Sequence, residues 1–215
     1  MSRNVKVVPA ILTDDPSALE KMARQAETFT DFVQIDIMDG RFVPSRSVTR
    51  EQIVGLPDKL KWEAHLMVTN PEEYVADFKQ AGASKIIFHH EATTSPHKVI
   101  SRSRDLKIDI GLAINPETPV SAIAPHINQV DSILLLTVTP GFYGSKFIPE
   151  VMGKVAELRA IQSGIEIGVD GGVKENNIRE IASAGVDYIC VGSAVFLQPD
   201  PAKSYRHLQS LVQEY

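Results

Sequence analysis

Three short stretches of the chain carry polar side chains at every second position among apolar ones. They read Val33-Gln34-Ile35-Asp36-Ile37-Met38, Trp62-Glu63-Ala64-His65-Leu66-Met67 and Glu166-Ile167-Gly168-Val169-Asp170. Alternate side chains of an extended strand share a face. The β-branched set Val33, Ile35 and Ile37 claims one side, which leaves Gln34, Asp36 and Met38 on the other; the same parity groups Glu63, His65 and Met67, and Glu166, Gly168 and Asp170. Asp36, His65 and Asp170 therefore aim two carboxylates and an imidazole at one volume, if their strands close a barrel. Burying such groups without compensation costs several kcal/mol per ion. A divalent metal held by Asp36, His65 and Asp170 is the compensation these residue types fit best.

A second pattern lies in glycines late in the chain. Pro140-Gly141-Phe142-Tyr143-Gly144, Asp170-Gly171-Gly172-Val173 and Val191-Gly192-Ser193-Ala194 each follow an apolar run. Backbone amides free of Cβ crowding, with a short helix opening after the last run, make an anion site that needs no lysine. Gly141, Phe142, Tyr143, Gly144, Gly171, Gly172, Gly192 and Ser193 are the expected phosphate and substrate contacts.

The elements that must position these groups follow from periodicity. Runs rich in Val, Ile and Leu predict strands over 6–12, 32–38, 61–67, 85–89, 109–114, 132–137, 166–170 and 188–192. Amphipathic stretches predict helices over 17–28, 49–56, 71–81, 95–105, 119–127, 149–162, 176–184 and 201–214. Gly82 and Gly185 stand where left-handed helix caps belong. Strict strand–helix alternation predicts a parallel sheet covered by helices, and eight units use nearly all 215 residues. The expectation is a single (β/α)8 TIM barrel, spanning 1–215 as one domain. In that architecture active sites form at the C-terminal ends of the strands, and phosphate binds at the loops after strands seven and eight.

Composition removes other classes. Apolar residues make up 43% and charged residues 23%, ordinary globular usage. A net charge of −5 without a basic run gives no footprint for nucleic acid or an anionic membrane. One cysteine, Cys190, forms no internal disulfide, and with no signal-peptide pattern or long apolar stretch the expected compartment is the cytoplasm. A homo-oligomer is the expected assembly.

Several phrases together resemble the ribulose-phosphate 3-epimerase family over essentially the whole chain. They are Val8-Pro9-Ala10-Ile11-Leu12, Ile35-Asp36-Ile37-Met38-Asp39-Gly40-Arg41-Phe42-Val43-Pro44, Ala64-His65-Leu66-Met67-Val68, Phe88-His89-His90-Glu91, Asn115-Pro116-Glu117-Thr118-Pro119, Thr137-Val138-Thr139-Pro140-Gly141-Phe142 and Val169-Asp170-Gly171-Gly172-Val173. The resemblance implies a (β/α)8 TIM barrel of the ribulose-phosphate-binding type and interconversion of D-ribulose 5-phosphate and D-xylulose 5-phosphate. It also implies a divalent metal (Zn, Fe, Mn or Co) held by two aspartates and two histidines. Asp36 and Asp170 then double as the acid–base pair, Met38, Met67 and Phe142 line the site, and residues 140–145 form a lid. An enediolate formed at C3 needs one carboxylate ionised and one protonated.

The chain departs from the family at identifiable places. Gln34 stands where the family has a metal-binding histidine; its carbonyl oxygen is a weaker ligand, so metal binding is expected to be weakened or lost. Glu63 replaces an aspartate and Gly168 a glutamate, which suggests that Glu63 bridges toward His65 or Gln34. Arg46 enters a rim loop, where it reads first as a solvated residue and, in a functional reading, as the partner of a second phosphate or a carboxylate. Two other functions fit these changes: epimerisation of a different phosphorylated ketose, and a catalytically impaired phosphosugar-binding protein. The Asp-x-Lys-x-x-Asp signature of orotidine-type decarboxylases and hexulose-phosphate synthases is absent.

Overall fold

The computed structural model describes residues 4–53, 55–141 and 145–213. Apolar runs of four to seven residues form eight parallel strands. They are β1 (Lys6–Ile11), β2 (Phe32–Met38), β3 (Lys61–Met67), β4 (Lys85–His89), β5 (Asp109–Ile114), β6 (Ser132–Leu136), β7 (Glu166–Asp170) and β8 (Tyr188–Val191). Each pairs with the next, and β1 pairs with β8, which closes the barrel. The helices are α1 (Pro16–Ala26), α2 (Val75–Gln80), α3 (Pro96–Asp105), α4 (Gly153–Ile161), α5 (Ile178–Ser183), α6 (Ser193–Phe196) and α7 (Pro201–Gln213).

Strand parity divides the core as the sequence predicts. Residues such as Val33, Ile35, Leu112, Ile133 and Val169 are buried between strands and helices, whereas Val8, Ala10, Ile87, Ala113, Leu134, Leu136, Tyr188 and Cys190 pack against one another as a second cluster. That second cluster fills the barrel interior and lies between two polar zones, one at each mouth. Gly82 and Gly185 take the left-handed conformation expected of helix caps, with φ of +97° and +93°. No helix among the described residues is long and apolar enough to cross a membrane.

Two expected helices are absent as such. Within 49–56 only a 3₁₀ turn forms, Arg50–Gln52, because Gly55 and Pro57 follow and leave too few residues to repay helix nucleation. Within 119–127 there is one 3₁₀ turn, Val120–Ala122, followed by another at Ile127–Gln129. Pro125 offers no amide donor and its ring would strike the carbonyl four residues earlier, so a continuous α-helix cannot form. Elsewhere the differences lie at ends: 71–81 opens with a 3₁₀ turn, Pro71–Glu73, before α2, and 149–162 opens with Pro149–Met152 before α4.

Candidate active site

The β2–β3 register sets Gln34 beside Glu63, Asp36 beside His65 and Met38 beside Met67. Across the barrel, Asp170 pairs with Cys190. These registers carry Asp36, His65 and Asp170 to the C-terminal mouth, where one donor atom from each lies within 4.8 Å of the others. Ser47 fixes the end of β2 from the following loop: its hydroxyl accepts from the Met38 amide and donates to the Asp36 carbonyl. Met38, Met67 and Val43 pack with Leu12 and Phe42 beside the carboxylates and keep their surroundings apolar.

His65 Nδ1 lies 2.9 Å from Asp36 Oδ1 and 3.5 Å from Asp170 Oδ2. Its Nε2 lies 2.9 Å from His89 Nε2, and His89 Nδ1 is 3.4 Å from Glu91 Oε2, a long contact. Burial raises the Glu91 carboxyl, but bonds from His89, Thr118 and the Asn115 amide outweigh it and bring it down to about 2. A carboxylate only accepts, so His89 carries its proton on Nδ1 and accepts at Nε2. His65 then donates from Nε2, and its Nδ1 accepts from the protonated Asp36 carboxyl across their 2.9 Å contact. Burial holds both imidazoles below the usual histidine range, and that keeps them neutral. A neutral, oriented imidazole backed by a further hydrogen-bond partner is what metal ligation requires.

The carboxyls are shifted the opposite way. Burial pushes Asp36 up to about 7, against a bond from Gln34 and the influence of His89. Burial, then the Asp36 charge, pushes Asp170 up to about 6. Like charges this close resist simultaneous ionisation, so the pair passes through a state with one proton between them near neutral pH. Asp36, His65 and Asp170 fit a divalent ion as three protein ligands with room for substrate, the arrangement of catalytic sites.

Gln34 does not face this centre as a carbonyl ligand. Its Nε2 donates to Asp36 Oδ1 at 2.9 Å and to Asp170 Oδ2 at 2.8 Å, while Oε1 accepts from Cys190 Sγ at 3.1 Å. The reason is electrostatic: two carboxyls with one proton between them still present acceptor oxygens on both sides of the amide and select its donor end. Cys190, expected only as a small buried thiol, is thus the partner of Gln34.

Glu63 points inward as parity requires, but its partner is neither His65 nor Gln34. Its Oε2 is 3.2 Å from Lys85 Nζ, which is also 3.0 Å from Glu166 Oε2 and stands over the Tyr188 ring, 5.0 Å from its centroid. This group closes the opposite mouth of the barrel. Burial alone would lower the Lys85 ammonium, but Glu63 and Glu166 hold it above the usual range. The space beside Gly168 is filled by Tyr188. Lys85 and Tyr188 were legible only as strand residues, since nothing in their spacing announces an inward ion pair.

Gly141, Gly171, Gly172, Gly192 and Ser193 line the cavity over the carboxylates, together with Met38, Met67 and Lys174. Gly171 and Gly172 have φ of +111° and +65°, and a Cβ at Gly172 would lie 2.8 Å from the Phe147 nitrogen, so the turn is closed to other residues. Phe142, Tyr143 and Gly144 lie outside the described residues. Arg46 is exposed and carries its side chain across Gly40, where an added Cβ would meet Arg46 Nε at 2.7 Å.

The chain matches the pattern of the ribulose-phosphate 3-epimerase family over residues 6–196. It belongs to that family. The ribulose-phosphate 3-epimerase of Synechocystis is 38% identical over 213 residues, 95% of this chain and 93% of its own. Those of Escherichia coli K12 and Schizosaccharomyces pombe are 38% and 33% identical, over 95% and 96% of this chain and 94% and 93% of theirs. Among solved structures, 3-hexulose-6-phosphate synthase from Salmonella typhimurium superposes with a TM-score of 0.75 at 17% identity, over 97% of this chain and 98% of its own. Orotidine 5'-phosphate decarboxylase from Pyrococcus horikoshii gives 0.70 at 14%, over 97% and 100%. These two likenesses show the barrel alone. The epimerase relatives place the chain in an enzyme family.

Proposed function

We propose that this epimerase-family chain interconverts D-ribulose 5-phosphate and D-xylulose 5-phosphate by proton transfer at C3. The observation that carries the reading is the Asp36–Asp170 pair, a buried and a partly buried carboxyl raised to about 7 and about 6 that line one cavity. Inversion at C3 removes a proton on one face of an enediolate and returns one on the other. One carboxylate takes the proton while the other, still protonated, delivers its own, and the reverse reaction exchanges their roles. Asp36, His65 and Asp170 would hold the divalent metal, whose Lewis acidity would favour the developing oxyanion. Met38 and Met67 keep water from the enediolate. Amides at Gly171, Gly172, Gly192 and Ser193 cradle the phosphate, with Lys174 in the same wall as its cation.

The ion is zinc, iron, manganese or cobalt, and Gln34 weakens its hold. The protein works in the cytoplasm, as the named cytoplasmic isoform from rice does, and assembles as a homo-oligomer. The test is incorporation of solvent deuterium at C3 of ribulose 5-phosphate, with Zn²⁺, Fe²⁺, Mn²⁺ or Co²⁺ added in turn. Exchange with product formation is expected. No exchange with any of the four overturns the reading and favours another phosphorylated ketose or a binding role.

A further inference from the structure

The Gln34 amide nitrogen lies 2.8–2.9 Å from one oxygen of each aspartate and 3.5 Å from His65 Nδ1. It stands at the fourth corner of a small cage whose other corners are the three donor atoms. An amide nitrogen has no lone pair to give, and its two protons are both used, one on each carboxylate. A cation bound by Asp36 and Asp170 would therefore meet two N–H groups directed at it. The amide's other end meets the buried Cys190 thiol, which donates to Oε1 at 3.1 Å.

We propose that Gln34 is a two-position residue. Without metal its NH₂ cross-links Asp36 and Asp170; when the ion binds, the carboxamide turns end for end, and Oε1 replaces Nε2 at the cage corner. Cys190 makes this possible because a thiol both gives and accepts weak hydrogen bonds. It donates to Oε1 in the first position and accepts from the NH₂ in the second. An aliphatic residue at 190 would leave the inner end of the amide unpartnered in both. The turn needs no backbone movement, only rotation about the last side-chain bond, whose energy profile is broad. The family's histidine at this position presents a fixed ligand, whereas Gln34 first satisfies the carboxylates and then exchanges that role for ligation. The inference rests on the proposed metal site and adds to it a residue that competes for that site in one orientation and completes it in the other.

The experiment follows Gln34 itself. Protein labelled with ¹³C,¹⁵N-glutamine is titrated with Zn²⁺, the Gln34 signals being assigned by their loss in Gln34→Leu and zinc occupancy being read from His65. The expected result is a pair of strongly deshielded NH₂ protons in the metal-free protein that moves upfield as zinc binds, with a concurrent change at the carboxamide carbon. A crystal structure with zinc would then show a Gln34 atom at about 2.0–2.2 Å from the ion. Deshielded NH₂ protons that persist while His65 reports zinc, or a Gln34 side chain more than about 3 Å from the ion, overturn the proposal. Zinc that never reaches His65 also overturns it, and the C3 exchange assay judges the epimerase reading separately.

Discussion

Gly168 and Tyr188 are register partners on β7 and β8, and a Cβ added to Gly168 would lie 2.1 Å from the tyrosine Cζ. The glycine is the space the ring occupies. Gly168→Ala should therefore destabilise the protein by about 1–3 kcal/mol, the usual range for overpacking a filled core. Pairing it with Tyr188→Leu should recover most of that loss. Urea midpoints of the two variants check both statements, and a Gly168→Ala protein as stable as the parent would show that the ring has room to move.

Lys85 answers two carboxylates at the same mouth. Lys85→Met leaves Glu63 buried beside an apolar side chain, and the expected loss is about 3–5 kcal/mol. The double variant Lys85→Met with Glu63→Gln removes both charges and should be closer to the parent than the single one. Equilibrium unfolding of the three proteins measures the coupling.

Glu91 gives a pH dependence with a definite sign. Its folded value of about 2 lies below the ordinary glutamate value of 4.5, so its contribution is present above about 4.5 and lost as pH falls toward about 2. Melting temperatures of the parent should drop across that window more steeply than those of Glu91→Gln. The same substitution should loosen His89 and, through it, His65.

His89 touches no substrate in the proposed reaction but orients the imidazole that would hold the metal. His89→Ala should reduce metal affinity about 10–100-fold, the usual effect of removing a partner behind a ligand. Chelator competition with Zn²⁺ reads this directly. An unchanged affinity would mean that His65 is oriented by packing alone.

Asp36→Asn and Asp170→Asn keep the shape of the site and remove one proton carrier each. Each should lower C3 deuterium exchange by at least about 10²-fold, while Lys174→Ala should raise KM with little change in kcat. Comparable exchange in either asparagine variant would take the proton transfer away from this pair.

Most of the frame was legible because parallel barrel strands are nearly continuous apolar runs. The bounds of β2, β3, β4, β5 and β7 match those expected, and inward parity for Gln34, Asp36, His65 and Asp170 followed from the apolar residues beside them. The segments 49–56 and 119–127 misled because apolar spacing was compatible with a helix, while Gly55 and Pro125 governed the backbone. Partner choice was less legible still. Alternation says that Glu63 faces inward but not that Lys85, on the next strand, reaches it first; and it says nothing about which end of the Gln34 amide meets the carboxylates.

The apolar layer of Val8, Ile87, Ala113 and Leu134 separates the lysine-centred cluster from the paired aspartates. The two mouths are consequently free to drift independently. Exchanges of aspartate for Glu63 and of glutamate for Gly168 are closed within the lower half, by Lys85 and Tyr188, and carry no message about which sugar is turned over above. Divergence in this lineage is to be read at Gln34 and the rim.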